Sequence, residues 1–116
     1  MTELEKAELC ARILSKKKAY DIKIIHTTDF TIIADYFVIV TGTSNTHVKS
    51  LADELEFQME QRDMAPLHVE GRASGWILLD FGTVLVNVFT GESREYYNLE
   101  RLWSDAETVP FDEEAE

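Results

Sequence analysis

The chain has little of what usually makes a function easy to recognise. It has one cysteine, Cys10, among 116 residues, which excludes an intrachain disulfide and a cysteine-based metal site. No apolar run approaches the ~18 residues of a membrane-spanning helix. The first residues, MTELEKAEL, alternate acidic and apolar side chains, unlike a signal peptide or an arginine-rich transit peptide. We therefore expect a cytoplasmic protein without a membrane partner.

Basic residues are also scarce. Lys and Arg number 11 against 22 Asp and Glu, which gives a net charge of −11, and six of the acids lie in the last twelve residues. An acidic body repels phosphate backbones and is steered towards basic partners. The sequence thus argues against direct sequence-specific nucleic-acid binding and favours a basic protein partner. We predict one domain over residues 1–106 and an acidic, disordered tail over residues 107–116.

Capping and periodicity signals predict that the domain begins with a helix over residues 2–18. Thr2 and Glu5 form a capping-box pattern at its start, and apolar or small residues recur after them at helical spacing. The continuous apolar run Tyr36–Thr41 is typical of a strand that is buried on both faces. We therefore place this strand in the centre of a sheet.

The rest of the chain predicts a mixed sheet. A second helix, capped by Ser44 or Asn45, lies between the central strand and a strand at residues 67–70, and this βαβ pattern predicts that the two strands run parallel. The runs Trp76–Leu79 and Val84–Phe89 flank a glycine-containing turn and predict a hairpin. The expected fold is an α/β domain with a mixed sheet of about five strands and flanking helices, in the order α-β-β-α-β-β-β-α.

The hairpin has one purely apolar face and one mixed face, because side chains alternate along a strand. With Phe81 and Gly82 as the loop, Leu79 is expected to pair with Val84. The mixed face carries Trp76, Leu78, Asp80, Thr83, Leu85, Asn87 and Phe89. A Trp and large apolar groups beside Asp and Asn are typical of a protein-binding patch. Coverage of this face by a C-terminal helix is the alternative, and both interpretations stay open.

The sequence predicts no catalytic residue, no metal and no cofactor. The strand–loop–helix junction around Gly42 could offer helix amides to a phosphate, but it lacks the glycines and the Lys of a P-loop. Nucleotidyl transfer needs paired carboxylates on a strand, and no Asp-x-Asp occurs. The three histidines are scattered, and His47 is expected to form a bond at the start of the second helix. A nucleotide-binding enzyme remains a rival hypothesis.

Two segments resemble the signature of the ribosomal silencing factor family (RsfS/Iojap). The first is ADYFVIVTG, from Ala34 to Gly42, followed by Ser44 and His47-Val48. The second is Glu70-Gly71 with GWILLDFG from Gly75 to Gly82, followed by Val86, Val88-Phe89, Arg94, Tyr96-Tyr97-Asn98-Leu99-Glu100, Leu102-Trp103 and Asp105-Ala106. The resemblance covers roughly residues 5–106 in order and spacing.

The resemblance implies a non-enzymatic regulator of translation. Members of this family bind the large ribosomal subunit through large-subunit ribosomal protein fourteen, obstruct the joining of the small subunit and repress translation under nutrient limitation. Organellar relatives are associated with large-subunit assembly, and members can form homodimers. The family fold is distantly similar to that of nucleotidyltransferases without their catalytic carboxylates, which agrees with the missing Asp-x-Asp.

The mixed hairpin face and the resemblance together predict the partner-binding site. Six residues are expected to contact the ribosomal protein: Trp76, Leu78, Asp80, Leu85, Glu70 and Asp35. The apolar members form the centre, Asp80 and Glu70 pair with basic residues, and Asp35 either fixes the start of the central strand or joins the contact. Three later aromatic residues are either core or contact: Tyr96, Tyr97 and Trp103. A purely structural dimerisation module is a further rival.

Overall fold

Six strands form one mixed sheet in the computed structural model, which describes residues 1–27, 34–71 and 74–111. The strands are β1 (Tyr20–His26), β2 (Tyr36–Gly42), β3 (His68–Glu70), β4 (Trp76–Asp80), β5 (Val84–Thr90) and β6 (Glu107–Val109). The helices are α1 (Glu3–Lys16), α2 (Asn45–Glu60) and α3 (Gly91–Tyr97), with a 3-10 helix (Leu99–Trp103) after α3. The mixed α/β fold is confirmed, with six strands where about five were expected.

Local side-chain bonds begin both long helices where the sequence predicts. The Thr2 hydroxyl accepts the Glu5 N–H at 3.1 Å, and the Glu5 carboxylate accepts the Thr2 N–H at 2.7 Å, so the capping box is complete. Ser44 caps α2 by accepting the His47 N–H at 3.1 Å. Among the described residues, no helix is long and apolar enough to cross a membrane.

The central position predicted for β2 is confirmed. The sheet order is β3-β4-β5-β2-β1-β6, and β2 pairs with β1 antiparallel and with β5 parallel. The parallel pairing runs from Tyr36 opposite Val84 to Gly42 opposite Thr90. Since β5, β4 and β3 alternate in direction, β3 runs the same way as β2, as the βαβ pattern predicts. The two strands are not neighbours, because the β4–β5 hairpin lies between them.

The β4–β5 hairpin has a register that differs by two residues from the expected one. Leu79 lies opposite Val86 rather than Val84, and the Phe81 N–H donates to the Val84 carbonyl at 2.9 Å. The loop residues are therefore Gly82 and Thr83, and Gly82 has a φ of +86°, which glycine adopts without strain. A shift of two residues leaves every side chain on its original face. The two predicted faces of the hairpin are thus retained.

The two faces of the sheet are covered differently. Helices α1 and α2 pack on one face and form the main core with Ala7, Cys10, Leu14, Leu51, Leu55, Val38, Ile77, Leu79 and Val86. We call the opposite surface of the sheet the front face. It carries a smaller cluster of three buried residues, Ile25, Ile39 and Phe89. The front face therefore has a small core of its own rather than continuous cover.

The C-terminal residues correct the predicted tail. Residues 107–109 were expected to be disordered, but Glu107–Val109 form β6 along the outer edge of β1, with Ile24 opposite Val109. Val109 and Phe111 also pack against the main core. The free edge of β1 supplies the pairing that the local sequence does not reveal. Residues 112–116 of the predicted tail lie outside the described residues.

Candidate partner-binding face

The sheet register brings five of the six predicted contact residues onto the front face. Leu78 lies opposite Glu70 on one side and Asn87 on the other, and Asp80 lies opposite Leu85. Trp76 shares their face by alternation along β4. The site thus crosses three adjacent strands, β3, β4 and β5. Sequence reasoning missed Phe37, which lies opposite Leu85 on the same face and is only half-buried.

The C-terminal segment, defined as residues 91–109, covers only part of the front face. Its Trp103 ring lies 5.0 Å from the Phe37 ring, and its Tyr97 ring lies 4.8 Å from the Trp76 ring, between ring centroids. Beyond Trp76, a groove of about 270 Å³ is lined by Glu70, Gly71, Ser74, Trp76 and Leu78. The C-terminal segment therefore covers one part of this face, as the alternative interpretation expects, and leaves the part beyond Trp76 open.

Trp76 is held firmly at the border between the covered and the open parts. Its ring stacks on the Phe89 ring, with 5.1 Å between the centroids, and also contacts the Tyr97 ring. Its indole Nε1–H donates to the Asn87 Oδ1 at 3.0 Å. Asn87 is 1% exposed, so one of the polar residues of this mixed face is buried and serves as the acceptor for the Trp76 indole. Trp76 is half-buried and its orientation is fixed before any partner arrives.

The hairpin turn fixes the other end of the site. The Asp80 Oδ1 accepts the Gly82 N–H at 2.8 Å. The Thr83 carbonyl accepts the N–H of Asp35 at 2.8 Å, and the Asp35 carbonyl accepts the Thr27 N–H at 2.8 Å. These bonds anchor the start of β2 to the turn and place Asp35 at the same end of the sheet as Asp80. Leu85 is 8% exposed, so it supports this surface more than it contributes area to it.

Two side chains of helix α1, on the opposite face of the sheet, form hydrogen bonds with the same turn. The Lys6 ammonium donates to the Phe81 carbonyl at 3.2 Å, and the Thr83 hydroxyl donates to the Glu3 carboxylate. The loop that carries Asp80 is thus tied to a helix as well as to two strands. A surface held in this way loses little conformational freedom when a partner binds.

The strand–loop–helix junction has structural bonds at the positions considered for phosphate binding. A Cβ on Gly42 would lie 3.1 Å from the Val48 Cγ2, so this glycine allows close packing of α2 on β2. The Thr43 N–H donates to His47 Nδ1 at 2.9 Å, and His47 Nε2 donates to the Lys17 carbonyl at 2.9 Å. His47 thus joins the start of α2 to the end of α1, beyond its predicted role at the helix start.

Comparisons with known proteins point in one direction. The family described as ribosomal silencing factor during starvation (RsfS) has a model that matches residues 1–116. A relative from Halalkalibacterium halodurans, named ribosomal silencing factor RsfS, is 36% identical over 110 residues, which are 94% of this chain and 94% of the relative. A crystal structure of a Chromobacterium violaceum protein has a TM-score of 0.87 at 30% identity and covers 96% of this chain and 92% of that one.

A more distant relative carries a different name. The mouse protein named mitochondrial assembly of ribosomal large subunit protein 1 is 30% identical over 101 residues, and the match covers 84% of this chain and 44% of the mouse protein. The family match and the similarity to the bacterial relative, in contrast, extend over nearly the whole chain. The mixed sheet, the capped helices and these matches agree, and the chain belongs to the ribosomal silencing factor family.

Proposed function

We propose that this protein binds the large ribosomal subunit through large-subunit ribosomal protein fourteen and prevents the small subunit from joining. The observation that supports it most directly is the open part of the front face. There Leu78 and the border residue Trp76 line a groove together with Glu70. Apolar groups in the centre and charges at the rim are the usual composition of a protein-binding surface.

The charges of this surface favour a basic partner. Glu70 is exposed on the edge strand, Asp80 is partly exposed, and Asp35 lies at the same end of the sheet. The whole chain carries a net charge of −11, which steers encounter towards positive surfaces. Charge pairs at the rim then act on the association rate and on orientation more than on affinity.

The proposed mechanism is steric and needs no chemical step. The domain measures 34 × 33 × 29 Å, which is large enough to exclude a second particle from the surface that it covers. Repression then follows mass action: the fraction of large subunits kept from joining equals the fraction occupied. Conditions that limit nutrients would act through the ratio of this protein to free large subunits.

Co-sedimentation with purified large subunits tests the proposed face. The informative variant is Leu78→Arg, because Leu78 lines the open groove, whereas Trp76→Ala would also remove the Asn87 bond and two ring contacts. The matched control is Phe57→Arg, since Phe57 is 57% exposed on α2, behind the opposite face of the sheet. We expect Leu78→Arg to weaken binding by at least about tenfold, in the range of a central interface residue, and the control to bind like wild type.

The possible outcomes test two claims separately: that the front face is the interface, and that the protein binds the ribosome. If the folded Leu78→Arg protein pellets with large subunits as well as wild type does, the front face is not the interface. If wild type itself stays in the supernatant, ribosome binding is wrong for this chain. Nucleotide binding is then the next measurement.

The partner and the blocked step need their own tests. A photo-crosslinking amino acid at position 78 is expected to capture ribosomal protein fourteen on intact large subunits, and the same group at position 57 is expected not to. When small subunits are added afterwards, occupied large subunits should remain uncoupled on a density gradient. Crosslinking to another ribosomal protein, or normal coupling of occupied subunits, would contradict the respective half of the proposal.

Assembly of the large subunit is a second candidate, because the mouse relative is named for it. This role predicts that cells lacking the protein accumulate incomplete large subunits during rapid growth. Silencing instead predicts complete subunits and failure to lower translation when nutrients are withdrawn. The composition of the particles from both conditions distinguishes the two roles.

A further inference from the structure

One arginine joins the C-terminal segment to the ends of two strands. The Arg94 side chain is only 12% exposed. Its Nη1 donates to the Thr41 hydroxyl at 2.7 Å and to the Asp21 carbonyl, and its Nε donates to Glu100 at 3.0 Å. A single guanidinium thus binds β2, β1 and the 3-10 helix at once, which the fixed fork of donors on arginine makes possible.

Glu100 extends this contact to a second cation. While one carboxylate oxygen accepts from Arg94, the other lies 2.7 Å from the Lys23 ammonium on β1. We call these four side chains, Arg94, Glu100, Lys23 and Thr41, the Arg94 network. Thr41 is 1% exposed, so its hydroxyl depends on Arg94 for its partner among the described residues.

The other attachments of α3 and the 3-10 helix to the sheet come from half-buried or exposed side chains, chiefly Tyr97, Leu99 and Trp103. Neither α3 nor the 3-10 helix contains a buried residue. Elements with few buried apolar groups open at low free energy. The polar network therefore acts together with these partly buried apolar contacts to keep α3 and the 3-10 helix closed over Phe89 and Ile39.

The position of this segment determines the surroundings of two residues on the front face. Tyr97 of α3 contacts the Trp76 ring, and Trp103 of the 3-10 helix contacts the Phe37 ring. Trp76 borders the open groove and Phe37 lies opposite Leu85. When the segment moves, the Phe37 ring loses Trp103, and the Trp76 ring loses Tyr97 while it keeps its contacts with Phe89 and Asn87.

We propose that Arg94 is a positioning residue for partner binding, which holds the C-terminal segment closed and thereby keeps Trp76 and Phe37 in the orientation that the ribosomal partner recognises. This inference rests on the proposed function. Arg94 itself has its donors turned to the network and does not need to touch the partner. Its loss lowers the fraction of molecules that are ready to bind, and apparent affinity falls by that fraction.

The first measurement uses the isolated protein. The chain has two tryptophans: Trp103 belongs to the segment, and Trp76 contacts Tyr97 of the segment. We expect Arg94→Ala to shift their fluorescence to longer wavelength while the far-ultraviolet circular dichroism stays that of a folded domain. Glu100→Gln is a milder second variant if Arg94→Ala does not fold. Arg101→Ala, an exposed arginine in the same 3-10 helix, is the matched control and should leave the fluorescence unchanged.

The second measurement is the kinetics of binding to purified large subunits. Because the variants change the population that can bind, the association rate constant should fall by about fivefold or more while dissociation stays within about twofold of wild type. Arg94→Lys should not restore the rate, since one ammonium cannot reach all three partners. Equal association rates for variants with shifted fluorescence would overturn the inference, and so would a change confined to dissociation. Wild type that does not bind at all would instead refute the proposed function, and the inference with it.

Discussion

At the scale of single residues, burial decides the chemistry of Cys10. The thiol is fully buried between α1 and the sheet, and this desolvation raises its pKa to about 12. The thiolate is the reactive form, so we expect no reaction with an aromatic disulfide reagent at pH 8 in the native state. One thiol per chain should react after unfolding in urea. Rapid reaction without denaturant would show that α1 opens locally.

His47 allows a second test at this scale, on stability. Replacing it by alanine removes the bonds to the Thr43 N–H and to the Lys17 carbonyl. Each such bond is worth about 0.5–1.5 kcal/mol, so His47→Ala should lower the free energy of unfolding by about 1–2 kcal/mol in a urea titration. His68→Ala, at an exposed position on β3, is the control and should change it by less than about 0.5 kcal/mol. Equal stabilities would mean that the two bonds contribute nothing.

At the scale of elements, acid should loosen the C-terminal segment. The hydrogen bond from Arg94, with help from Lys23, holds the pKa of Glu100 below its ordinary value of 4.5. A lowered pKa in the folded state stabilises it above the ordinary pKa, and this contribution disappears as the pH falls through the folded value. Tryptophan fluorescence should therefore shift in acid, at a pH below the ordinary value of 4.5, before the far-ultraviolet signal changes. In Glu100→Gln this early shift should be absent, and its persistence would assign it to another group.

Elements whose signals are local could be predicted from the sequence. The Thr2–Glu5 capping box and the Ser44 cap need only neighbouring residues, so both helix starts are where they were expected. The two hairpin faces depend only on alternation. The register was missed because Gly82 fits either of two loop positions and a shift of two residues leaves the hydrophobic pattern intact. β6 was missed because three residues beside an acidic run show no period, and only the edge of β1 makes them a strand.

In the candidate site, too, features set by neighbouring residues could be predicted, and features set by contacts between distant residues could not. Alternation placed Trp76, Leu78 and Asp80 on one face, as the structure has them. Whether that face was covered depended on where the C-terminal segment lies, and its contacts are distant in sequence: Arg94 bonds to residues more than fifty positions away, and β6 pairs with β1. No local pattern contains such contacts. For that reason the half-coverage of the face, and the part that Phe37 plays in it, could not be read from the sequence.

At the scale of the whole molecule, net charge should govern how fast the protein finds its partner. A chain with a net charge of −11 that meets a basic surface is steered by a field that salt screens within about 10 Å at 0.1 M. We expect the association rate constant with large subunits to fall several-fold between about 50 and 200 mM salt, with little change in dissociation. Stopped-flow measurements at matched temperature check this. A rate independent of salt would argue against a basic partner surface.

The parallel pairing of β2 with β5 also has a consequence for how the chain folds during its synthesis. β2 is synthesised roughly 50 residues before the strand that covers its edge, and such distant pairings form late and slowly. Until Val84–Thr90 has emerged, the nascent chain exposes a strand of which Val38–Gly42 are buried in the finished protein. Exposed strand edges of this kind attract other chains. This chain is therefore expected to complete its sheet only after residues 84–90 have left the ribosome.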